Sequence, residues 1–429
     1  MNNIDNLLGN NNIIYVTNDP ERSLGLEKIT KHFYTLCIDD SYILNFLNNF
    51  YSLKKNFPNI DIFRNSNKLL QEESVKQYLS SIKNPSFMFF KIAPNIEIEL
   101  KNKKILNTHS DLNRKYENKI MISNIFKDIV PPTKIINLKI DTYNSISNFL
   151  GKEFVIQFSR GQSGNTTFFI DNKDQFEKLQ EKYPLRIAKA VKKISGEYFT
   201  INGVITENDI LIGNLSKQIT GIKELTAFKG GTVGNEWITG LTIKQKDMFI
   251  DKMQYIGKKM KNDGYRGMFG ADFVFDSQNI FLIEVNAREN ASIPTYTKIQ
   301  INENILPFKL IHILDFLKIS YKIDSTKINN QIYEDYNYRQ IIIRNIQSHP
   351  VKANTFLNGV YSSNLDKIRE GYDIDSLKNN DYLILTSYSN VNPNIEISKI
   401  QSKSSIDNNF INQTLIKLLQ NPGEDNIIL

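Results

Sequence analysis

The sequence predicts an α/β protein with several folded domains, and three observations support this prediction. The chain has 429 residues, of which 40% are hydrophobic, so it can bury about three cores of ordinary domain size. Short apolar runs alternate with helical stretches over roughly the first hundred residues, which is typical of a parallel sheet flanked by helices. Between residues 151 and 300, apolar runs follow one another across short turns, which indicates antiparallel strands.

The composition excludes several classes of protein. Lysine and arginine total 53, and aspartate and glutamate total 46, which gives a formal net charge of +7. This excess of positive charge fits either a phosphate-bearing ligand or an ordinary lysine-rich surface. The single cysteine, Cys37, excludes a disulfide framework and a Cys-rich zinc site. The N-terminus has no signal-peptide pattern, no apolar run is long enough to span a membrane, and the aromatic residues show no RNA-binding pattern. We therefore expect a soluble cytoplasmic protein without nucleic-acid or membrane partners.

The first part of the chain predicts an α/β domain over residues 1–109. An apolar, β-branched run at 13–17 predicts a strand that ends in an Asn-Asp-Pro turn, and runs at 36–38 and 86–92 predict two more strands. The loop after the first strand contains one glycine, Gly25, so it is not a dinucleotide-binding fingerprint.

The middle of the chain predicts a second domain, over residues 110–318. Strands and glycine-bearing turns over about 151–215 predict a β-rich lid subdomain with one helix. Four apolar residues at spacings of three and four then predict the clearest helix, over 245–263, which ends at a glycine. The remaining stretch, 319–429, is rich in Asn, Ile and Lys and predicts a smaller β-rich domain.

Three oxygen-bearing side chains lie on two adjacent predicted strands. Glu284 and Asn286 are two residues apart, so they point to the same face. An odd number of loop residues, with Asp276 paired to Ile280, would place Asp272 on that face too. Asp272 would then lie opposite Glu284, whereas a loop of two or four residues would turn it to the other face.

These side chains suit a divalent cation. Carboxylate and amide oxygens are hard ligands, and Mg²⁺ takes one or two carboxylates together with substrate phosphates and water. Arg288, two residues after Asn286, could hold a phosphate or a carboxylate and stabilise developing negative charge. The pattern alone fits a half-exposed hairpin equally well, because such hairpins also alternate acids with apolar residues.

Two further segments carry weaker signals. In RGQSGNTTFF, Gly161 and Gly164 allow backbone N–H groups to converge on an anion, and Ser163 adds a hydroxyl donor. Most loops of this kind are ordinary hairpin turns. Lys119 lies on a predicted helix, where a lone lysine is usually at the surface.

Together and in this order, these segments resemble the ATP-grasp superfamily of ADP-forming carboxylate ligases. The resemblance covers roughly residues 110–300, and its most specific part is GADFVFD…IFLIEVNAREN, which is similar to the family's two metal-binding strands. It implies an ATP-grasp fold with a Rossmann-like domain before it and a small β-rich domain after it, as in biotin carboxylases. It also implies ATP and Mg²⁺ (or Mn²⁺) as cofactors, and it is compatible with a homodimer.

The resemblance implies a role for each matching residue. The metal ligands would be Asp272, Glu284 and Asn286. The catalytic residues would be Asn286 and Arg288, and Arg288 would hold the acyl phosphate. The residues around the nucleotide would be Lys119, Gln157, Gly161, Ser163, Gly164, Lys192, Ile194 and Glu197.

Two positions depart from the family pattern. Gln157 stands where a phosphate-binding lysine usually ends the strand before the glycine loop. Val191 and Lys192 stand where the adenine hinge usually carries an acid. The nearby lysines that could restore the missing charge are Lys217, Lys223 and Lys229.

Three functions stay open at this point. The first is an ATP-dependent ligase that activates a small-molecule carboxylate as an acyl phosphate, joins it to an amine and releases ADP and phosphate. The second is a bicarbonate-using enzyme of the same family, either a carboxylase or a carbamoyl-type enzyme. The third is a non-catalytic nucleotide-binding protein, which Gln157 and the altered hinge favour and which the intact acidic set disfavours.

Overall fold

The computed structural model describes residues 4–60, 62, 65–161, 164–354, 357–386 and 390–419. A parallel sheet forms the N-terminal region, and antiparallel sheets form the rest of the described chain. This mixture confirms the predicted α/β fold class. Within these residues, no helix combines the length and the apolar character that crossing a bilayer requires.

The N-terminal region is a five-stranded sheet with short helices. Its strands are β1 (Asn12–Thr17), β2 (Phe33–Cys37), β3 (Phe50–Ser52), β4 (Pro85–Phe89) and β5 (Lys104–Ile105). Its helices are α1 (Ile4–Leu8), α2 (Leu53–Asn56), α3 (Ser66–Gln71), α4 (Glu73–Ser80) and α5 (Pro94–Glu99), with 3₁₀ turns at Pro20–Ser23, Leu26–Lys28 and Tyr42–Phe46. The strands are parallel, in the order β3-β2-β1-β4-β5. Strand β1 is central and almost wholly buried, which explains its continuous apolar run.

A second, four-stranded antiparallel sheet follows; we call it the lid sheet. Two short helices, α6 (Ser110–Tyr116) and α7 (Lys119–Ile125), precede it. The lid sheet and its helices comprise β6 (Thr133–Asn137), α8 (Tyr143–Leu150), β7 (Phe154–Phe158), β8 (Thr167–Ile170), α9 (Lys173–Lys182) and β9 (Ile187–Lys192). The strand order is β6-β9-β7-β8. One face of the sheet forms a separate core with residues of α8 and α9. The opposite face does not take part in that core.

The bounds of the lid differ from the sequence prediction of about 151–215. The lid sheet begins earlier, at Thr133, because β6 pairs with β9. It also ends earlier, at Lys192, because the next two strands belong to the long antiparallel sheet described below and not to the lid sheet. Sequence alternation identifies strands but does not say which sheet they join.

The third region is a long antiparallel sheet with helices on it. Its first strands and helix are β10 (Glu197–Ile205), β11 (Ile210–Thr220), β12 (Thr232–Glu236), α10 (Ile243–Asn262), β13 (Gly267–Phe275) and β14 (Ile280–Asn286). Helix α10 confirms the predicted helix, and its four periodic apolar side chains are all buried. Thr242 caps the helix through a reciprocal bond pattern with Gln245.

The C-terminal region continues this sheet. Its helices are α11 (Ile293–Asn302), α12 (Phe308–Leu317), α13 (Ser325–Asn329) and α14 (Asn408–Leu419), with a 3₁₀ turn at Asn330–Tyr333. Its strands are β15 (Arg339–Arg344), β16 (Val351–Lys352), β17 (Gly359–Tyr361), β18 (Lys367–Arg369), β19 (Tyr382–Thr386), β20 (Asn390–Val391) and β21 (Glu396–Ser402). Strand β12 pairs with β15, so ten strands run in the order β14-β13-β10-β11-β12-β15-β21-β19-β17-β18. We keep 1–109, 110–318 and 319–429 as a proposed division into domains.

Candidate active site

The predicted metal-binding residues lie on the hairpin of β13 and β14. Asp272 pairs with Glu284, as the sequence predicted, and Asn286 lies two residues along the same strand as Glu284. Residues two apart on a strand share a face, and directly opposed residues do so as well. The three oxygen-bearing side chains therefore project from one face of the hairpin.

The turn of this hairpin differs from the prediction. Phe275 pairs with Ile280, so the loop has four residues, a length that we expected to turn Asp272 away from Glu284. A β-bulge at Ile283 restores the pairing, because one extra residue in β14 shifts the register before it reaches Asp272. Without this bulge the two acids would lie on opposite faces.

Asp272 is held by several hydrogen bonds. Its Oδ1 accepts from Thr200 Oγ1 at 2.6 Å and from Gln218 Nε2 at 2.9 Å. Its Oδ2 accepts from Asn286 Nδ2 at 3.2 Å. Burial raises the pKa of Asp272, although the hydrogen bond from Thr200 and the charge of Lys119 oppose that rise. The carboxylate is oriented, but burial leaves its negative charge only partly compensated.

Two cations lie beside this acidic group. Lys119, at the start of α7, donates a hydrogen bond to Glu284 Oε2. Arg288 Nη1 donates to Asn286 Oδ1 at 2.5 Å and lies 3.2 Å from Glu117 Oε1. Burial lowers the pKa of Lys119 to about 8. The ordinary interpretation of Lys119 as a surface lysine is therefore wrong, because its side chain is buried against the hairpin.

The donor set fits a hard divalent cation. Asp272, Glu284 and Asn286 offer two carboxylates and an amide oxygen from one face, which is the ligand chemistry that Mg²⁺ and Mn²⁺ prefer. A cation there would compensate the buried charge of Asp272. Catalytic Mg²⁺ sites commonly take one or two carboxylates and leave other positions for phosphates and water.

A cleft of about 450 Å³ separates the lid sheet from the hairpin face. Its walls include side chains of β7, β8 and β9 on one side and of β10, β11, β13 and β14 on the other. Most of the residues predicted from the sequence line it, namely Lys119, Gln157, Gly161, Gly164, Lys192, Ile194, Asp272, Glu284, Asn286 and Arg288. The cleft thus brings together predicted site residues that are up to 169 positions apart in the chain, from Lys119 to Arg288.

The two described glycines of the RGQSGNTTFF loop are structurally required. A Cβ on Gly161 would lie 1.8 Å from Thr166 Oγ1, and Gly164 has a positive φ of 84°. Both conditions disfavour any larger residue. The loop therefore passes close to its own return strand while its glycines face the cleft.

Other predicted residues have different positions. Glu197 is not among the cleft-lining residues, and its carboxylate pairs with Lys217 in the described chain. Of the lysines expected to restore charge, Lys229 lines the cleft, whereas Lys223 is exposed and is not among its lining residues. Ser163 lies outside the described residues.

The sequence interpretation missed several residues that line the cleft. Lys189 lies on β9, and Thr200 and Gln218 lie on β10 and β11, beside Asp272. Arg22 and Arg344 come from the N-terminal and C-terminal regions. One signal was available for Lys189, because it lies between two alanines in the otherwise apolar run of residues 187–191, and a lysine is unusual at a buried position.

Comparisons with known proteins agree with this geometry. Residues 116–292 match the sequence model of the ATP-grasp domain. No curated protein sequence gives a significant match. Solved structures match over most of the chain at 11–12% identity, which establishes a shared fold.

Three of these structures illustrate the similarity. N5-carboxyaminoimidazole synthase from Aspergillus clavatus, in complex with ADP and 5-aminoimidazole ribonucleotide, has 11% identity, covers 95% of this chain and 98% of its own, and gives a TM-score of 0.57. The biotin carboxylase domain of Hydrogenobacter thermophilus 2-oxoglutarate carboxylase, with MgADP, ADP and bicarbonate, has 12% identity, coverages of 91% and 85%, and a TM-score of 0.61. Biotin carboxylase from Campylobacter jejuni has 11% identity, coverages of 95% and 91%, and a TM-score of 0.61.

In this fold two β-sheets face each other across the cleft, and one of them carries the acidic hairpin. Together these features define a class of nucleotide-dependent enzymes. Residues 116–292 match an ATP-grasp domain, as the hairpin and the glycine loop predicted.

Proposed function

We propose that this protein is an ATP-dependent ligase that activates a carboxylate as an acyl phosphate and joins it to an amine. ATP and Mg²⁺ are its cofactors, and ADP and phosphate are released. One observation supports this proposal above the others. The side chains of Asp272, Glu284 and Asn286 face one cleft, with Arg288 hydrogen-bonded to the amide of that set.

The nucleotide end of the cleft has donors suited to each part of ATP. The backbone around Lys192 and Ile194 would meet the adenine where β9 leaves the lid sheet. Lys119 and the N–H groups of the loop at Gly161 and Gly164 would lie near the phosphates. Bound Mg²⁺ would be held by the acidic hairpin, and its chemistry is to neutralise phosphate charge.

The reaction itself needs few reacting side chains. An oxygen of the substrate carboxylate attacks the γ-phosphorus of ATP, and ADP leaves. The amine then attacks the acyl carbon, and phosphate leaves. Arg288 would stabilise the negative charge on the acyl phosphate, while Glu117 and Asn286 hold its guanidinium in place. Enclosure of the cleft by the lid sheet would keep water from the labile acyl phosphate.

A second candidate is a bicarbonate-using enzyme of the same class. The observation in its favour is that the similar structures include carboxylating enzymes and match over most of this chain, including the N-terminal and C-terminal regions. In this version bicarbonate is the carboxylate that is phosphorylated, and the same cleft serves. The sequence departure at Gln157 keeps a non-catalytic nucleotide-binding protein as the contrasting outcome.

An ADP-release assay with the purified chain distinguishes these functions. MgATP is supplied with bicarbonate or with pairs of amino acids, and products are identified by mass. The ligase predicts ADP release only with an acid and an amine together, and the second candidate predicts bicarbonate-dependent release. Glu284→Ala should lose activity, whereas Glu181→Ala, an exposed position on α9, should retain it. MgATP binding without ADP release under any condition would contradict both enzymatic functions.

A further inference from the structure

Lys189 has a particular position in the lid sheet. On β9 it pairs with Gln157 of β7 on one side and with Ile135 of β6 on the other. Directly opposed residues of antiparallel strands project from the same face. Lys189 and Gln157 are therefore side by side, and both line the cleft.

The charge of Lys189 is not balanced within the described protein. Its side chain is 1% exposed, and among the described residues it has no hydrogen-bonding or ion-pairing partner, in contrast to Lys119, which binds Glu284. A buried ammonium without a partner is costly. Burial, and to a smaller extent the nearby charge of Lys119, lower the pKa of Lys189 to about 7. Such a side chain destabilises the folded protein unless an anion binds to it, so it suits an anionic ligand.

The other lysines of the cleft lack this combination. Lys229 is 63% exposed, lies over the ring of Phe169 and is 3.8 Å from Asp171. Lys192 is exposed at the end of β9. Among the described lysines that line the cleft, Lys189 therefore has a buried ammonium with no acid beside it.

We propose that Lys189 binds the phosphates of the nucleotide and replaces, from the neighbouring strand, the charge that Gln157 cannot supply. This inference rests on the proposed nucleotide site but not on turnover. Gln157 can donate a hydrogen bond from its amide, and Lys189 contributes the positive charge beside it. Because the two positions are directly opposed on neighbouring strands, we expect a lysine at either one to meet the same phosphates.

Equilibrium binding tests the proposal. Affinities for MgATP, MgADP and adenosine are measured for the wild-type chain and for Lys189→Gln. We expect MgATP and MgADP to bind about 10- to 100-fold more weakly to the variant, as for the loss of one charge-assisted contact, with adenosine nearly unchanged. Lys298→Gln is the matched control: Lys298 is a buried lysine that pairs with no acid among the described residues, but it hydrogen-bonds Gln401 and does not line the cleft.

A charge-relocation variant separates a ligand contact from a structural role. Gln157→Lys combined with Lys189→Gln should recover MgATP affinity to within about fivefold of wild type. Unchanged MgATP affinity in Lys189→Gln, an equal loss for adenosine, or a relocation variant no better than Lys189→Gln would each overturn the proposal. Wild-type protein that binds MgATP no better than adenosine would overturn it too. Binding without turnover would refute the ligase alone and leave this inference standing.

Discussion

Buried lysines have different surroundings in two regions of the molecule. The first is the domain junction, which we define as the shared core of the N-terminal sheet, helices α11 and α12 and the C-terminal strands. There Lys309 Nζ lies 3.3 Å from Glu289, and Lys399 contacts both Glu21 and Glu396. Burial opposes the charged form of Lys399, but the two acids raise its pKa above the usual range.

The second region is the cleft, where the effect of burial on the pKa of a lysine is not offset by a neighbouring acid of the described residues. Burial lowers the pKa of Lys189 to about 7, and no acid among the described residues pairs with it. At the junction, acids of the protein itself neutralise Lys309 and Lys399, and these pairs bind the regions to one another, while Lys298 hydrogen-bonds the uncharged Gln401. In the cleft a buried positive charge is left for a ligand. The difference teaches that a buried lysine with a partner can serve the fold, whereas a buried lysine without any partner among the described residues is a candidate for binding a ligand.

The largest expected effect is on the junction. Lys309→Met leaves Glu289 buried without its cation, so we expect a loss of about 3–5 kcal/mol in the free energy of unfolding. Urea denaturation measures it. Adding Glu289→Gln should recover much of the loss, because no unpaired charge is then buried. A double variant as unstable as the single variant would show that the pair does not stabilise the junction through charge.

The next effect is on catalysis in the cleft. Arg288→Gln removes the guanidinium bound to Asn286 and Glu117, and we expect turnover to fall about 10²- to 10³-fold. MgADP affinity should change much less, because in the proposed reaction Arg288 would act on the acyl phosphate. Steady-state kinetics and calorimetry measure the two quantities, with Arg339→Gln on β15 as the control. Equal losses in turnover and MgADP affinity would place Arg288 at the nucleotide instead.

A pH effect should distinguish the junction from the cleft. His312 Nε2 contacts Leu106 O at 2.6 Å, Nδ1 accepts from Met268 N at 3.1 Å, and burial lowers its pKa to about 4. The unfolded chain, with an ordinary histidine pKa of about 6.5, binds the proton more readily. Stability should therefore fall by up to about 3 kcal/mol as the pH drops from 6.5 to 4.

The check on this pH effect is the variant His312→Gln, which has no proton to gain. Its unfolding free energy should lose that part of the acid dependence, although the buried carboxylates of the junction will still titrate. The charge of Asp315 favours the protonated ring, while Lys309 and Arg266 disfavour it. An identical acid dependence in the variant and the wild type would show that His312 does not contribute.

A last effect concerns the contribution of Lys189 to the stability of the protein without a bound nucleotide. Lys189 has a folded-state pKa of about 7 and an unfolded value near 10.5, so the unfolded chain binds more protons between these values. Stability should rise as the pH increases through that window. Lys189→Met should be at least as stable as wild type at pH 7 and should lack this rise. Thermal unfolding at pH 7 and pH 9 measures both, and a clearly less stable variant would indicate a structural role.

Several elements could be predicted from the sequence because they depend on short-range geometry. Helix α10 was predictable from the spacing of apolar residues and from a following glycine. Glu284 and Asn286 shared a face because side chains alternate along a strand. Pairing across the hairpin was predicted correctly for Asp272 but for the wrong reason, because the bulge at Ile283 has no clear sequence signal.

The sequence by itself determined the types of side chain, the periodic elements and the order in which the metal ligands and the glycine loop follow one another. Only the tertiary structure decided that Lys119 reaches Glu284, 165 residues away, and that Lys189 is buried beside Gln157 with no acid from the described part of the chain paired to it. The physical reason is range. Backbone periodicity acts over a few residues, whereas burial and the pairing of charges depend on which distant strands and helices pack together.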